Sequence, residues 1–386
     1  MADRRLVSLF SGIGGFEVAA QRRGANAVLL CENEPTAQAV LRDRFPDARL
    51  ATDIQGLRRL PPRTWMVTAG FPCQDLSSVG LKSGIGGERS SLVDEVFRLL
   101  ETQNPDWVVL ENVMFMLHIE KGKAMQHVIE GLESCGFNWA YRLLNTSDFG
   151  LPQRRRRLYF MASRKHDAAT AMFSVNSERP EGRASAIRRS SYGFYWTEGT
   201  YATGLTVNGV PPLKSGSTIG IPSPPAILFA NGDVGTPTVG DAERLQGFRR
   251  GWTKAAATVG RESLRWRLVG NAVSVPVATQ VIASAVSAEG ISRRRFADAV
   301  ELLPIEGKWP DAAFGSRGKR YAMPNRSFRG MKRPPAIHRF LCEDVRPLSA
   351  KATLGFLKRA QKGGQRFPDG FLKSLEQHAT SMAQHA

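Results

Sequence analysis

Four groups of residues carry the chemistry in this sequence. Cys73 stands in Gly70-Phe71-Pro72-Cys73-Gln74-Asp75-Leu76-Ser77. A thiol is the most nucleophilic common side chain, and a Pro-Cys pair after a strand holds it at a sharp bend. A lone cysteine is more commonly a small buried side chain, so this segment alone decides nothing. Glu111, in Glu111-Asn112-Val113, follows an apolar run and can bring an acid to the same edge; alone it reads equally as a capping or solvent-facing carboxylate. Gln153-Arg154-Arg155-Arg156-Arg157 precedes Leu158-Tyr159-Phe160. Strand alternation predicts Arg155 and Arg157 on one face, with Arg154 and Arg156 on the other. Guanidinium forks there suit phosphates and carbonyl oxygens, although a basic surface strand has the same pattern. The fourth group is the turn Ser11-Gly12-Ile13-Gly14-Gly15. Glu17 takes the third glycine position of a dinucleotide fingerprint, which argues against a pyrophosphate and for a nucleoside without phosphates. Glu32 can accept from both ribose hydroxyls, and Asp53 from an adenine amino group.

Positioning these groups requires strands that end beside them. Apolar runs at Leu6–Phe10, Ala27–Cys31, Trp65–Ala69 and Asp106–Leu110 read as strands. Helical patterns fall between them at Phe16–Arg23, Thr36–Phe45 and Ser91–Glu101, the last opened by a capping arrangement of Ser91 with Asp94. Tyr141–Leu144 and Leu158–Ala162 read as a later strand pair. Alternating strands and helices predict an α/β fold, doubly wound around a mostly parallel sheet. Ligands of such sheets bind at the carboxyl ends of the strands, where Cys73, Glu111 and the Gly-rich turn fall, while the arginines precede their strand.

The character changes near Ser163. Residues 164–235 are rich in Gly, Ser, Pro and Thr, with Arg188-Arg189 followed by Tyr192, Phe194, Tyr195 and Trp196. This predicts a smaller, irregular, loop-rich domain. Helical patterning returns at Val239–Gln246 and Val275–Val286. The expected organisation is a core at 1–163, the irregular domain at 164–235, a return to the core at 236–290 and an extension at 291–386.

The 386 residues carry 53 Lys and Arg against 35 Asp and Glu, a net charge of +18. A pI near 10.3 points to a polyanionic partner. The extension holds 19 basic and 8 acidic residues, more than half of the excess. The hydrophobic share of 42% excludes wholesale disorder. The 4 cysteines form no CxxC pair and the 6 histidines no HExxH, so neither a disulfide framework nor a zinc site has support. No long apolar run suggests a membrane segment, and an intracellular, cytoplasmic protein is expected.

Taken together, the motifs resemble a known family. Phe10-Ser11-Gly12-Ile13-Gly14-Gly15, Pro72-Cys73-Gln74, Glu111-Asn112-Val113, Gln153-x-Arg155-x-Arg157, Glu243-Arg244-Leu245-Gln246-Gly247-Phe248 and Gly270-Asn271-Ala272-Val273 occur in this order. The series resembles the DNA (cytosine-5)-methyltransferases over roughly residues 5–163 and 236–287. The resemblance implies that Cys73 attacks C6 of a flipped-out cytosine and that Glu111 acts at N3. It implies that Arg155 and Arg157 hold the base carbonyl and backbone near the thiol. Phe10, Ser11, Gly12, Ile13, Gly14, Gly15, Glu32, Asn33, Asp53, Ile54, Phe71, Pro72, Leu92, Asn271 and Ala272 would line a site for S-adenosyl-L-methionine, released as S-adenosyl-L-homocysteine. No metal is implied. Gln74, Ser77 and Arg89, on a loop closing over DNA, and Arg188 and Arg189, in the variable recognition region, would contact DNA. Double-stranded DNA is the implied substrate, a cognate restriction endonuclease the candidate partner, and a monomer the expected state. A tRNA cytosine-5 methyltransferase on the same scaffold and a non-catalytic nucleic-acid-binding module are the alternatives; Gln74 and the size of 164–235 favour DNA, and intact Cys73 and Glu111 favour an enzyme.

The sequence departs from the family in four places. Ser8 stands where many members have an acidic residue, and Thr238-Val239-Gly240-Asp241 replaces a Thr-x-Arg-Glu. Arg249 replaces a usual proline, and Ala272 a frequent serine.

Overall fold

A computed structural model of the chain describes residues 3–72, 91–173, 176–177, 190–200, 202–216, 224–302, 308–328 and 331–384. It divides into two compact units, one of 1–145, 156–180 and 273–331 and one of 146–155, 181–272 and 332–386. The sequence blocks 164–235 and 291–386 are each shared between the units. Composition reports local character, and does not say which core a segment joins.

The first unit follows the expected alternation. β1 (Arg4–Leu9), α1 (Gly15–Gln21), β2 (Ala25–Cys31), α2 (Pro35–Arg44), β3 (Arg49–Ala51) and β4 (Thr64–Ala69) come first. α3 (Leu92–Glu101), β5 (Trp107–Val113), α4 (Lys123–Ser134), β6 (Asn138–Asn145), β7 (Arg156–Ser163) and α5 (Ala168–Phe173) follow. Among the described residues these strands and three from the extension form a ten-stranded sheet. Its order is Val300–Glu301, Lys319–Ala322, Ala312–Ser316, β6, β7, β5, β4, β1, β2, β3. β1 to β5 are mutually parallel. β7 reverses beside β5, and each neighbour beyond it reverses again. Seven of the ten strands therefore share one direction, as a mostly parallel sheet requires.

Strand residues alternate between two covered faces. Leu9, Leu29, Val67 and Leu110 join one apolar core with Val96 and Leu100 of α3 and Val128 and Leu132 of α4. Their neighbours Leu6, Leu30, Met66 and Val109 are equally buried, on the face covered by α1, α5 and the helix Val275–Ala288. Burial on both faces explains why the strands are continuous apolar runs. α3 starts where its sequence says: the Ser91 backbone N–H donates to Asp94 Oδ2 at 2.7 Å, closing a capping box. The most apolar stretch, Leu264–Ala288, is read in the backbone as two helices, Leu264–Asn271 and Val275–Ala288. Val275, Val277, Ala278, Val281 and Ile282 of the second are core residues of the first unit.

The second unit holds a five-stranded antiparallel sheet of very short strands: Thr206–Val207, Tyr192–Phe194, Ala226–Leu228, Val234–Thr236 and Arg346–Pro347. The last comes from the extension, as do the helices Ala350–Lys362 and Phe371–Gln384. Phe356 and Phe371 bring their rings within 4.8 and 5.4 Å of Phe194, completing a core with Tyr192, Leu228 and Val234. The stretch from 332 onward is thus structural in this unit rather than appended to it.

Candidate active site

The Gly-rich turn leaves β1 through left-handed backbone at Phe10 (φ 53°), Gly12 (φ 56°) and Gly14 (φ 88°). The glycines differ in purpose. A Cβ on Gly14 would lie 2.3 Å from Phe45 Cε2, and one on Gly15 2.9 Å from the Val273 carbonyl oxygen, so both are needed for packing. A Cβ on Gly12 would meet nothing within 4 Å, so that flank of the turn is open to a ligand. The Gly12 N–H donates to Glu32 Oε2 at 2.8 Å, and the Glu34 N–H to Glu32 Oε1 at 2.9 Å. Ser11 ties the turn to β2, its N–H donating to the Cys31 carbonyl at 3.0 Å. Burial pushes the Glu32 carboxyl above its usual range, against those backbone donors. Each Glu32 oxygen keeps a second lone pair for hydroxyl donors.

Around this carboxylate lie the other expected cofactor residues of the first unit. Ile54 and Phe71 are buried in the same apolar cluster, with Phe10 and Leu92 packed against it. The turn carrying Asp53 and Ile54 is anchored to α3, since Arg98 donates to the carbonyls of Ile54 and Leu57 at 3.3 and 2.8 Å. Asn33, Asp53 and Pro72 are exposed, and Ile13 is buried. An apolar slot edged by carboxylates suits a neutral base and a hydroxylated sugar. Asn271 and Ala272, the remaining two, lie at the end of helix Leu264–Asn271 in the second unit.

Glu111 sits third from last on β5, and Val113 pairs with Arg157 on β7. Arg157 Nε lies 3.3 Å from Glu111 Oε1. A Cβ on Gly70 would be 3.8 Å from Glu111 Oε2, so the carboxylate faces the chain leaving β4. Asn112 holds that chain: its Nδ2 donates to the Phe71 carbonyl at 3.1 Å. Cys73 follows two residues later and lies outside the described residues, as do Gln74, Ser77, Arg89, Arg188 and Arg189. The buried thiols Cys31 and Cys135 are poor nucleophiles. Burial, with Glu32 and Asp53 nearby, pushes Cys31 up to about 12, and burial raises Cys135.

The burial of the four arginines alternates as expected, with Arg155 buried and Arg157 half-buried while Arg154 and Arg156 are exposed, although β7 itself begins only at Arg156. Arg155 is 2% exposed. It donates to the carbonyls of Leu213 (3.1 Å), Gly270 (3.0 Å) and Ala272 (3.0 Å). Gln153 works alongside it, donating to the Leu245 carbonyl at 2.8 Å and accepting from the Leu213 N–H at 3.0 Å. Gln246 donates to the Val269 carbonyl at 2.8 Å. In the second unit this buried network sets the backbone that ends in Asn271-Ala272.

Sequence reasoning passed over two residues. Glu17 is fully buried with both oxygens lacking a hydrogen bond of ordinary geometry among the described residues, and burial pushes it up to about 7. Its failure to fit the glycine fingerprint was the available signal. Asp241, in the departure Thr238-Val239-Gly240-Asp241, accepts from the N–H groups of Cys342 (3.0 Å) and Glu343 (3.2 Å) and pairs with Arg244 at 2.8 Å. Residue type gave no hint that it fastens a chain about a hundred positions away.

The sequence profile of the C-5 cytosine-specific DNA methylases matches residues 4–212. Type II methyltransferase M2.BsuMI of Bacillus subtilis (strain 168) is 41% identical over 96% of this chain and 97% of its own length. Type II methyltransferase M.NgoBI of Neisseria gonorrhoeae is 29% identical over 72% of this chain and 93% of its own. Among solved structures, the S. pombe Dnmt2 methyltransferase superposes with a TM-score of 0.56 at 19% identity, covering 75% of this chain and all of that one. The chain belongs to the C-5 cytosine-specific DNA methylase family. It is a DNA cytosine-5 methyltransferase by class.

Proposed function

We propose that this protein methylates C5 of a cytosine in a specific duplex DNA sequence, with S-adenosyl-L-methionine as donor. The observation that carries the reading is the convergence of Glu111, paired with Arg157, on the segment that Asn112 holds just before Cys73. C5 of cytosine is a weak nucleophile. Addition of the Cys73 thiolate at C6, with Glu111 donating at N3, moves electron density to C5. Once C5 carries the methyl group that the bound cofactor would supply, loss of the C5 proton and expulsion of Cys73 as thiolate, with the N3 proton returned to Glu111, would restore the ring. Arg157 positions Glu111, and Arg155 positions the Gly270–Ala272 backbone.

Glu32 would accept from the ribose hydroxyls, Asp53 from the adenine amino group, and Phe10, Ile54, Phe71 and Leu92 would enclose the base. When bound, the cofactor supplies an electrophilic methyl group. The target atom lies inside the duplex, so the base must leave the stack, at about a few kcal/mol. Gln74, Ser77, Arg89, Arg188 and Arg189 are the proposed DNA contacts in the loop and recognition region. Residues 164–235 are the proposed recognition region, and their part from 190 onward belongs to the second unit with its short-stranded sheet. The 41% relative is a type II methyltransferase, which supports a place in a restriction-modification system beside a cognate endonuclease. We propose a cytoplasmic monomer.

The test is methyl transfer to unmethylated duplex DNA, read base by base by bisulfite sequencing, alongside Cys73→Ala. Protection of cytosines within one short motif, lost in the variant, is the expected result. Protection absent on DNA but present on tRNA would replace the substrate. Absence on both would leave a binding module.

A further inference from the structure

The basic excess of the C-terminal quarter is not distributed evenly, and most of its first part is already spent. In the first unit Arg320 pairs with Glu133 at 2.6 Å, Arg326 with Asp298 at 2.7 Å, and Lys319 with Glu301 at 3.2 Å. Arg293 and Lys308 approach Asp167 and Asp311 at 3.9 and 4.0 Å. These cations serve the fold's own carboxylates.

The helix Ala350–Lys362 in the second unit is different. It contains no Asp or Glu. Its inner face, Thr353, Phe356, Leu357 and Ala360, is buried. Its half-buried Arg359 donates to the carbonyls of Trp196 (2.7 Å) and Glu198 (2.9 Å), which locks the helix to the 190–200 segment. The outer face carries Lys351, Lys358 and Lys362, all exposed. Among the described residues none of the three has an ion-pair partner. Spacings of seven and four residues keep them within about 40° of one stripe, roughly 17 Å long. Duplex DNA presents about one negative charge per ~1.7 Å of axis, so a stripe of that length meets roughly ten.

We infer that Lys351, Lys358 and Lys362 form a phosphate-contacting rail that binds duplex DNA independently of its sequence. The inference rests on the reading of the substrate as duplex DNA. The rail is set on a rigid support, because the same helix closes the core around Phe194. Three flexible ammonium groups, point charges without a planar fork, give affinity and register rather than base readout.

The experiment measures binding of the full-length protein to a duplex lacking any methylated motif, across a salt series. The arms are wild type, K351Q/K358Q/K362Q and K351R/K358R/K362R. Each phosphate contact adds about 0.9 to the slope of log affinity against log salt, so the glutamine variant should lose about 2 to 3 units of slope. The arginine variant should keep the wild-type slope, which separates charge from any damage to the helix. An unchanged slope in the glutamine variant overturns the rail. A tRNA arm runs in parallel: loss of tRNA affinity with duplex affinity intact overturns the assignment to DNA. Wild-type protein that binds no duplex at any salt overturns the substrate reading itself, and the rail with it.

Discussion

Arg157 Nε lies 3.3 Å from Glu111 Oε1, on neighbouring antiparallel strands whose other ends are anchored in the core. Both side chains are largely buried, and the pair helps to orient the carboxylate. Glu111→Gln should lower methyl transfer by about 10²- to 10⁴-fold, the usual contribution of a positioned acid. Arg157→Ala should lower it too, and the double variant should fall short of the product of the two single losses, since both act through one carboxylate. Single-turnover rates of the four proteins check this.

Gly14 should tolerate no side chain. Its φ of 88° is left-handed, and a Cβ would fall 2.3 Å from the Phe45 ring. Gly14→Ala should cost more than about 1 kcal/mol of stability and weaken cofactor binding. Adding Phe45→Leu should recover part of the loss, and only part, because the backbone strain remains. Thermal melts with and without S-adenosyl-L-homocysteine read both effects.

Glu17 makes stability depend on pH in a definite direction. Its carboxyl titrates near 7 in the folded chain against 4.5 when unperturbed. Between those values the folded state holds a proton that the unfolded state releases, so this group's effect is a loss of stability as pH rises through the window. The full loss is about 3 kcal/mol above pH 7 and absent below 4.5. The Ser8 and Ser11 hydroxyls offset burial only in part. Urea denaturation at pH 5 and pH 8 should therefore show Glu17→Gln gaining on the wild type as pH rises. Equal differences at the two values would contradict the assignment.

Phe356 is fully buried against Phe194. Phe356→Ala should destabilise the second unit by about 3–5 kcal/mol. Partial proteolysis should then cut residues 190–272 while sparing the first unit. Removal of 291–386 would be a poor probe of DNA contact, because it takes strands and helices out of both units.

The first unit was legible because period-two and helical patterns there coincide with burial on two faces. Capping by Ser91 and Asp94 could be read directly, since both partners lie within one turn. Lys123–Ser134 and the second unit's sheet were not, although its helix Val239–Leu245 was. Strands of two or three residues, such as Tyr192–Phe194, are too short to show alternation, and their hydrophobic cover comes from Phe356 and Phe371 far along the chain. Glu111 and the glycine turn were visible as residue types. The pairing with Arg157 and the separate task of Arg155 were not, because their partners come from distant parts of the chain.

The second unit's core joins Tyr192 and Phe194 to Phe371 and Leu375. On a ribosome, the earlier pair emerges long before its cover exists. At about 5–20 residues per second, an apolar surface waits on the order of ten seconds or more for the final helix. The helix Phe371–Gln384 therefore times when this unit's core is complete, and a chain cut before Phe371 leaves Tyr192 and Phe194 partly uncovered.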